Sequence, residues 1–307
     1  MKRSVLPRWF FRIPPKAALF YLLVFLISLP FVQYKKTLLK AETSTLSRFI
    51  PDFTYLLDFR DQKTPLDKTR LQEYYNYFSK ANEFLPNKAD ILGMQGYCAY
   101  YLGKEKEALA IYQQTILTYP YSFGFRYNLG AIYFKAGRFP EAISAFEQAL
   151  QMNVPQNISF ITTSRIFFPL MRTLLKANEE LKIYLRAGFE RCYTILLASL
   201  EQTGDFTKAL HYSLAATKSP FNNPAFFAYH AGIETYHLGK YHEAVFFLQK
   251  SLQLSPDNPD AFYYLGLSLQ KIGKLDLAAT TLKKGEELKQ AGITNPFSNP
   301  QVVLQIY

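Results

Sequence analysis

Cysteine, histidine and catalytic motifs are all scarce in this chain of 307 residues, and each scarcity removes a class of function. The two cysteines, Cys98 and Cys192, are too few for a disulfide framework and read as small buried apolar side chains. Only four histidines occur, His211, His230, His237 and His242. His230 and His237 share a helix face, but no carboxylate or cysteine completes a metal-like spacing with them, so no metal site is expected. There is no phosphate-binding loop and no nucleophile motif. The 14 glycines stand singly, at places that suit helix turns, and no low-complexity tract is present. The expectation is therefore a protein that is not an enzyme, with no cofactor and no small-molecule substrate.

A basic folded body is missing too, although the net charge is +11. Residues 1–50 hold nine of the 35 basic side chains and one of the 24 acidic ones, a balance of +8, which leaves only +3 for the rest. A nucleic-acid-binding domain carries its basic stripe on the folded part, so nucleic acid is not an expected partner.

What the N-terminal region does contain is a long uncharged run. Residues 17–34, AALFYLLVFLISLPFVQY, are eighteen in number and free of formal charge, and as a helix they span roughly 27 Å, enough for a thin bilayer. Trp9, Phe10, Phe11, Tyr21 and Tyr34 stand near its ends, where amphipathic rings favour the interface. A cleaved signal peptide would show small residues after the apolar run, and FVQYKKTLLK has none, so the segment reads as an uncleaved transmembrane anchor. Five basic residues precede it and four follow, a mild bias toward a cytoplasmic N-terminus. In a bacterium this means a single-pass inner-membrane protein with its body in the periplasm.

Past the anchor the sequence repeats every 34 residues. The clearest unit starts at Phe123, with Leu129-Gly130 inside one helix, Gly137 at a turn, and Ala142, Phe146 and Ala149 on one face of a second helix. One period upstream, Gly96, Gly103, Ala108, Tyr112 and Pro120 fall in phase. Further down the chain, Gly232, Gly239, Ala244, Leu248 and Pro256 match, and then Leu265, Gly266, Gly273, Ala278 and Leu282. This pattern resembles the tetratricopeptide-repeat (TPR) family. The resemblance implies an all-α, right-handed superhelical solenoid of helical hairpins, preceded here by the transmembrane helix. Counting by 34, unit starts fall at Ala89, Phe123, Asn157, Glu190, Ala225 and Pro259, which places six TPR-like units over residues 89–292. The unit at 157–189 has no signature glycines and carries Pro169, so it reads as a degenerate but helical hairpin. The remaining segments are a basic N-terminal stretch (1–16), a partly helical juxtamembrane linker (35–66), a capping helix or half-repeat (67–88) and a C-terminal tail (293–307). The tail is expected to fold back on the last hairpin.

In TPR superhelices the first helix of each hairpin lines a concave groove that binds protein segments. Carried onto this sequence, the resemblance puts Tyr97, Tyr100, Tyr101, Tyr127, Phe134, Lys135, Tyr229, Tyr236, His237, Tyr263 and Lys271 on the groove. Gly93, Tyr97 and Gly124 stand where chaperone-binding members carry other groove residues, and only Asn128 corresponds, so acidic chaperone tails are not the expected partner. The expected partners are proteins offering apolar or aromatic-rich segments, together with the membrane through the N-terminal helix. The function that follows is a membrane-anchored scaffold or adaptor in a cell-envelope assembly, such as a secretion system, pilus, flagellar motor or envelope-biogenesis machine. A receptor for client proteins or targeting peptides on a cytosol-facing membrane is the alternative.

Overall fold

Several helix starts in this chain are set by short polar side chains and prolines, while those at Ala89, Glu105, Phe123, Tyr241 and Leu275 have no side-chain cap. The Asn258 carboxamide accepts from the amides of Asp260 (3.1 Å) and Ala261 (3.2 Å), and Pro259 fills the first helical position, where no amide partner is needed. Asn223 and Asp205 cap two other helices in the same way, accepting from Phe226 and Lys208. The computed structural model describes residues 67–152 and 178–305, apart from 85, 220, 222, 299 and 301. All of these lie in one compact unit, residues 65–307. The transmembrane run at 17–34, the basic stretch at 1–16 and the linker at 35–66 fall outside the described residues, among which no helix is long and apolar enough to cross a membrane.

Eleven helices and no strand occur among the described residues. In chain order they are α1 (Lys68–Phe84), α2 (Ala89–Tyr101), α3 (Glu105–Thr118), α4 (Phe123–Lys135), α5 (Phe139–Leu150), α6 (Asn178–Thr203), α7 (Phe206–Thr217), α8 (Pro224–His237), α9 (Tyr241–Leu254), α10 (Pro259–Lys271) and α11 (Leu275–Gln290). Each helix packs on the next, and the first helices of neighbouring hairpins also meet, α4 with α6 and α8 with α10. The result is a TPR-like solenoid of five described hairpins with α1 ahead of them.

Two kinds of glycine make the hairpins. Between α4 and α5 the chain reverses at Gly137, whose φ of 71° is the left-handed region that L side chains avoid. The turn closes with bonds from the Gly137 amide to Phe134 O (3.0 Å) and from the Arg138 amide to Tyr133 O (2.9 Å). Inside the hairpins, glycine permits close helix approach. A Cβ on Gly130 would lie 2.7 Å from Phe146 Cε1, and one on Gly232 would lie 2.5 Å from Leu248 Cγ. In both hairpins the contact joins residues sixteen apart, which is why the 34-residue period keeps glycine and a large side chain in phase. The space within and between hairpins is filled by wholly buried Tyr97, Tyr112, Phe123, Phe125, Tyr127, Phe146 and Phe227, and each of the phenylalanines stabilises the fold by roughly 1.5–3 kcal/mol through area removed from water. Cys98 and Cys192 are buried and unpaired, and burial pushes both thiols up from their usual range.

One stretch departs from the 34-residue count. Residues 153–177 lie outside the described residues, and α5 packs on α6, where Cys192 Sγ lies 3.8 Å from Phe146 O; beside this contact Tyr212 of α7 donates from Oη to Glu147 Oε1 (3.1 Å), and Phe189 of α6 stacks on Phe123 of α4 at 4.3 Å between ring centroids. Most of the hairpin expected at 157–189 lies outside the described residues. The boundary expected at Glu190 is absent, because α6 runs without a break from Asn178 to Thr203. The reason is local chemistry. Nothing in NEELKIYLRAGFERCYTILLASLEQT stops a helix.

Candidate functional site

Helices α2, α4, α6, α8 and α10 are the first members of the hairpins, and the segment that follows α11 runs along them. α11 ends in a Schellman arrangement: Gly292 takes a φ of 78°, and the Ile293 amide donates to Leu288 O (3.0 Å). Asn295 then makes a tight turn, its Oδ1 accepting from the Phe297 amide (2.9 Å). Its Nδ2 donates to Tyr229 Oη (2.9 Å) and Asp260 Oδ2 (3.1 Å), while Lys289 pairs with Asp260 Oδ1 (3.1 Å). The Phe297 ring sits against Phe226 and Tyr229, with centroids 5.6 Å and 5.5 Å apart.

Residues 302–305 reach the other half of the solenoid, about 176 residues back along the chain. There the groove holds the tail by its main chain. Tyr127 Oη donates to Val303 O (2.9 Å), and the Leu304 amide donates to Tyr101 Oη (3.3 Å). The Asn128 carboxamide makes two bonds to one residue, donating from Nδ2 to Gln305 O (2.9 Å) and accepting from Gln305 N (2.7 Å). Leu304 and Gln305 are each only 1% exposed. Gly188 of α6 faces this place, since a Cβ there would lie 3.2 Å from Phe123 and 3.7 Å from the Gln305 carboxamide. The tail thus meets the last hairpin through Asn295 and Asp260, as folding back on it requires, and then runs on into the groove of distant hairpins. Extended backbone carries unmet donors and acceptors, and the groove hydroxyls and Asn128 satisfy them.

The eleven groove residues taken from the sequence pattern have different surroundings. Tyr101, Tyr127 and Tyr229 touch the tail directly. Tyr97 is wholly buried with its ring 4.7 Å from Tyr101, and Tyr100 meets the other edge of Tyr101. Phe134 packs on Phe139 at the turn between α4 and α5, and Tyr236 lies between Tyr241 and Tyr264. His237 is stacked on Phe206 at 4.1 Å. Lys135 and Lys271 are exposed at helix ends, and Tyr263 is 46% exposed with Lys289 over its ring. Burial raises the phenol pKa of all three tail-contacting tyrosines, Tyr101 to about 12, so each remains a neutral hydroxyl able to donate.

A polar cluster that the sequence reading missed lies under a pocket of about 120 Å³ between α6, α8 and the tail. Glu201 Oε1 is 2.6 Å from His230 Nδ1, and Ser213 Oγ donates to Glu234 Oε1 (2.8 Å). His230 Nε2 and Glu234 Oε2 are buried without a hydrogen-bond partner. Burial, reinforced by Glu201, pushes the Glu234 carboxyl well above the usual carboxylate range. One ligand atom from each of Glu201, His230 and Glu234 lies within 4.8 Å of the others, close enough to hold a divalent cation once Glu234 gives up its proton. The signal was available as His230 and Glu234, four apart on one helix face, but Glu201 joins them only through the packing of α6 on its neighbours.

Family models for the tetratricopeptide repeat match residues 94–122 and 125–153, and a TPR repeat model matches 232–273. The chain carries tetratricopeptide repeats. Among solved structures, YrrB, described as a TPR protein with an unusual peptide-binding site, is similar with a TM-score of 0.53 at 18% identity. The match covers 69% of this chain and 92% of YrrB. MamA from Desulfovibrio magneticus RS-1 matches with a TM-score of 0.48 at 16% identity, over 66% of this chain and 96% of that one. No curated protein sequence matches. At this level the likeness to YrrB shows the fold alone, and the TPR hairpins described above are that fold.

Proposed function

We propose that this chain is a membrane-anchored TPR scaffold whose groove holds an extended segment of a partner protein within a cell-envelope assembly. The observation that carries the reading is Asn128, whose carboxamide makes a donor–acceptor pair with one extended residue, Gln305, flanked by the hydroxyls of Tyr101 and Tyr127. Groups placed this way read main chain and not side chains, which is how a groove accepts a strand-like segment. The anchoring half of the proposal rests on the uncharged run at 17–34 with basic residues on both sides, and the periplasmic side on the five-to-four basic bias.

Crosslinked affinity purification of the full chain and of its Asn128→Ala variant from detergent-solubilised membranes, read by mass spectrometry, tests the groove. A small set of components in fixed ratio, at least tenfold depleted by the substitution, is the expected result. Unchanged recovery by a folded variant would sink the groove reading. The near balance of flanking charge supports a second reading, a client receptor on a cytosol-facing membrane. Protease protection on spheroplasts, whose outer membrane has been opened, separates the two, because there only the cytosol-facing body is shielded.

A further inference from the structure

We infer that residues 293–305 are a displaceable internal ligand of the groove, and that the partner segment is an uncharged extended peptide built on the same two anchors. The first anchor is an Asn-Pro-Phe turn, and the second is an apolar-Leu-Gln strand seven residues further on. The inference rests on the groove reading above and adds the identity of the segment that fits.

The two anchor sites are read by different chemistry. At the first, Asn295 and Phe297 are held through their side chains: the carboxamide bridges Tyr229 and Asp260, and the ring fills the space beside Phe226 and Tyr229. Lys289 occupies the other oxygen of Asp260, so this end is neutralised within the body and offers nothing to a charged ligand. At the second site four hydrogen bonds go to main-chain atoms of residues 303–305. Specificity there comes from the burial of Leu304 and from the narrow space for the Gln305 side chain beside Gly188. A charged residue at either anchor would lose its hydration on burial. The tail itself contains no charged residue from Ile293 to Tyr307.

The tail is joined to the solenoid only through the Gly292 cap, so leaving the groove requires no helix to unfold. A tethered ligand of this kind acts at an effective concentration on the order of millimolar, and a free segment must compete with it. Masking the groove 90–99% of the time weakens apparent partner affinity by about 10- to 100-fold.

The test uses the full chain and a fluorescent peptide, GITNPFSNPQVVLQ, copied from residues 292–305. Two separate variants, Phe297→Ala and Leu304→Asp, release the tail at one anchor each without touching a helix. The expected result is that both bind the peptide at least tenfold more tightly than the unsubstituted chain, and that adding Asn128→Ala abolishes the gain. A peptide carrying the Leu304→Asp change should not bind. If neither released variant binds the peptide more tightly, or if Asn128→Ala leaves the gain intact, the inference is overturned. Partner recovery from membranes by the same variants separates the two ideas. Recovery that depends on Asn128 without peptide binding overturns the tail and keeps the groove. Loss of Asn128 dependence in both assays overturns both.

Discussion

At the scale of single residues, Asn128 and Glu234 show how little of a site depends on ionised groups. Asn128 works because an amide carries a donor and an acceptor on one planar group, and no ionised acid, lysine or serine presents that pair. Glu234 is a carboxyl buried at 0% exposure with Ser213 donating to one oxygen, and burial keeps its proton on at pH values where surface carboxylates have lost theirs. Its folded-state pKa lies above the unfolded one, so in that window the folded chain binds the extra proton and stability falls as pH rises. Urea unfolding midpoints of the parent chain are therefore expected to decrease from pH 5 to pH 8 more steeply than those of Glu234→Gln. Gln keeps the acceptor for Ser213 and has no proton to lose. Parallel slopes for the two proteins would show that Glu234 is not the titrating group. Of these two residues the sequence showed Asn128 as a groove position, but not the burial of Glu234, which depends on α7 packing against α8, with Glu201 of α6 beside it.

At the scale of elements, the hairpin is a glycine and a large side chain sixteen residues apart. Gly232→Ala places a methyl 2.5 Å from Leu248 Cγ and 3.2 Å from the Leu248 amide nitrogen, so backbone as well as side chain must move. Overpacking costs about 1–3 kcal/mol and better helix propensity returns about 1, so a net loss of about 1–2 kcal/mol is expected by chemical denaturation. Combining it with Leu248→Ala should recover part of that loss. A purely additive double variant would mean that the two helices are not held at this contact. These contacts made the α4/α5, α8/α9 and α10/α11 hairpins legible, because a 34-residue period leaves its mark wherever two helices must touch. α6 was legible only as a helix. Its true length was hidden by the counting of units, since a continuous helix and two helices in register share one apolar pattern until a breaker separates them.

At the scale of the whole molecule, the stack of neighbouring hairpins is quasi-one-dimensional, each contacting chiefly the next. The tail is the exception, because residues 293–305 touch α8 and α10 at one end and α2 and α4 at the other. It works as a clasp that couples hairpins far apart in sequence. Releasing it with Leu304→Asp is expected to lower the urea midpoint, with roughly 2 kcal/mol lost from the burial of Leu304. It should also reduce the slope of the transition, as the two ends begin to unfold separately. An unchanged midpoint and slope would mean that the clasp carries no stability.

Sequence alone determined the repeat, its helical hairpins and the aromatic character of the first helices, because these follow from contacts between residues a fixed, short distance apart. It also carried the uncharged run at 17–34, on which the proposed anchor rests. Tertiary structure decided three things: that α5 meets α6, that Glu201 joins His230 and Glu234, and that residues 303–305 lie on Tyr101, Tyr127 and Asn128. Each depends on segments far apart in the chain meeting in space. Main-chain hydrogen bonds, which hold the tail at its far anchor, leave no mark on side-chain pattern.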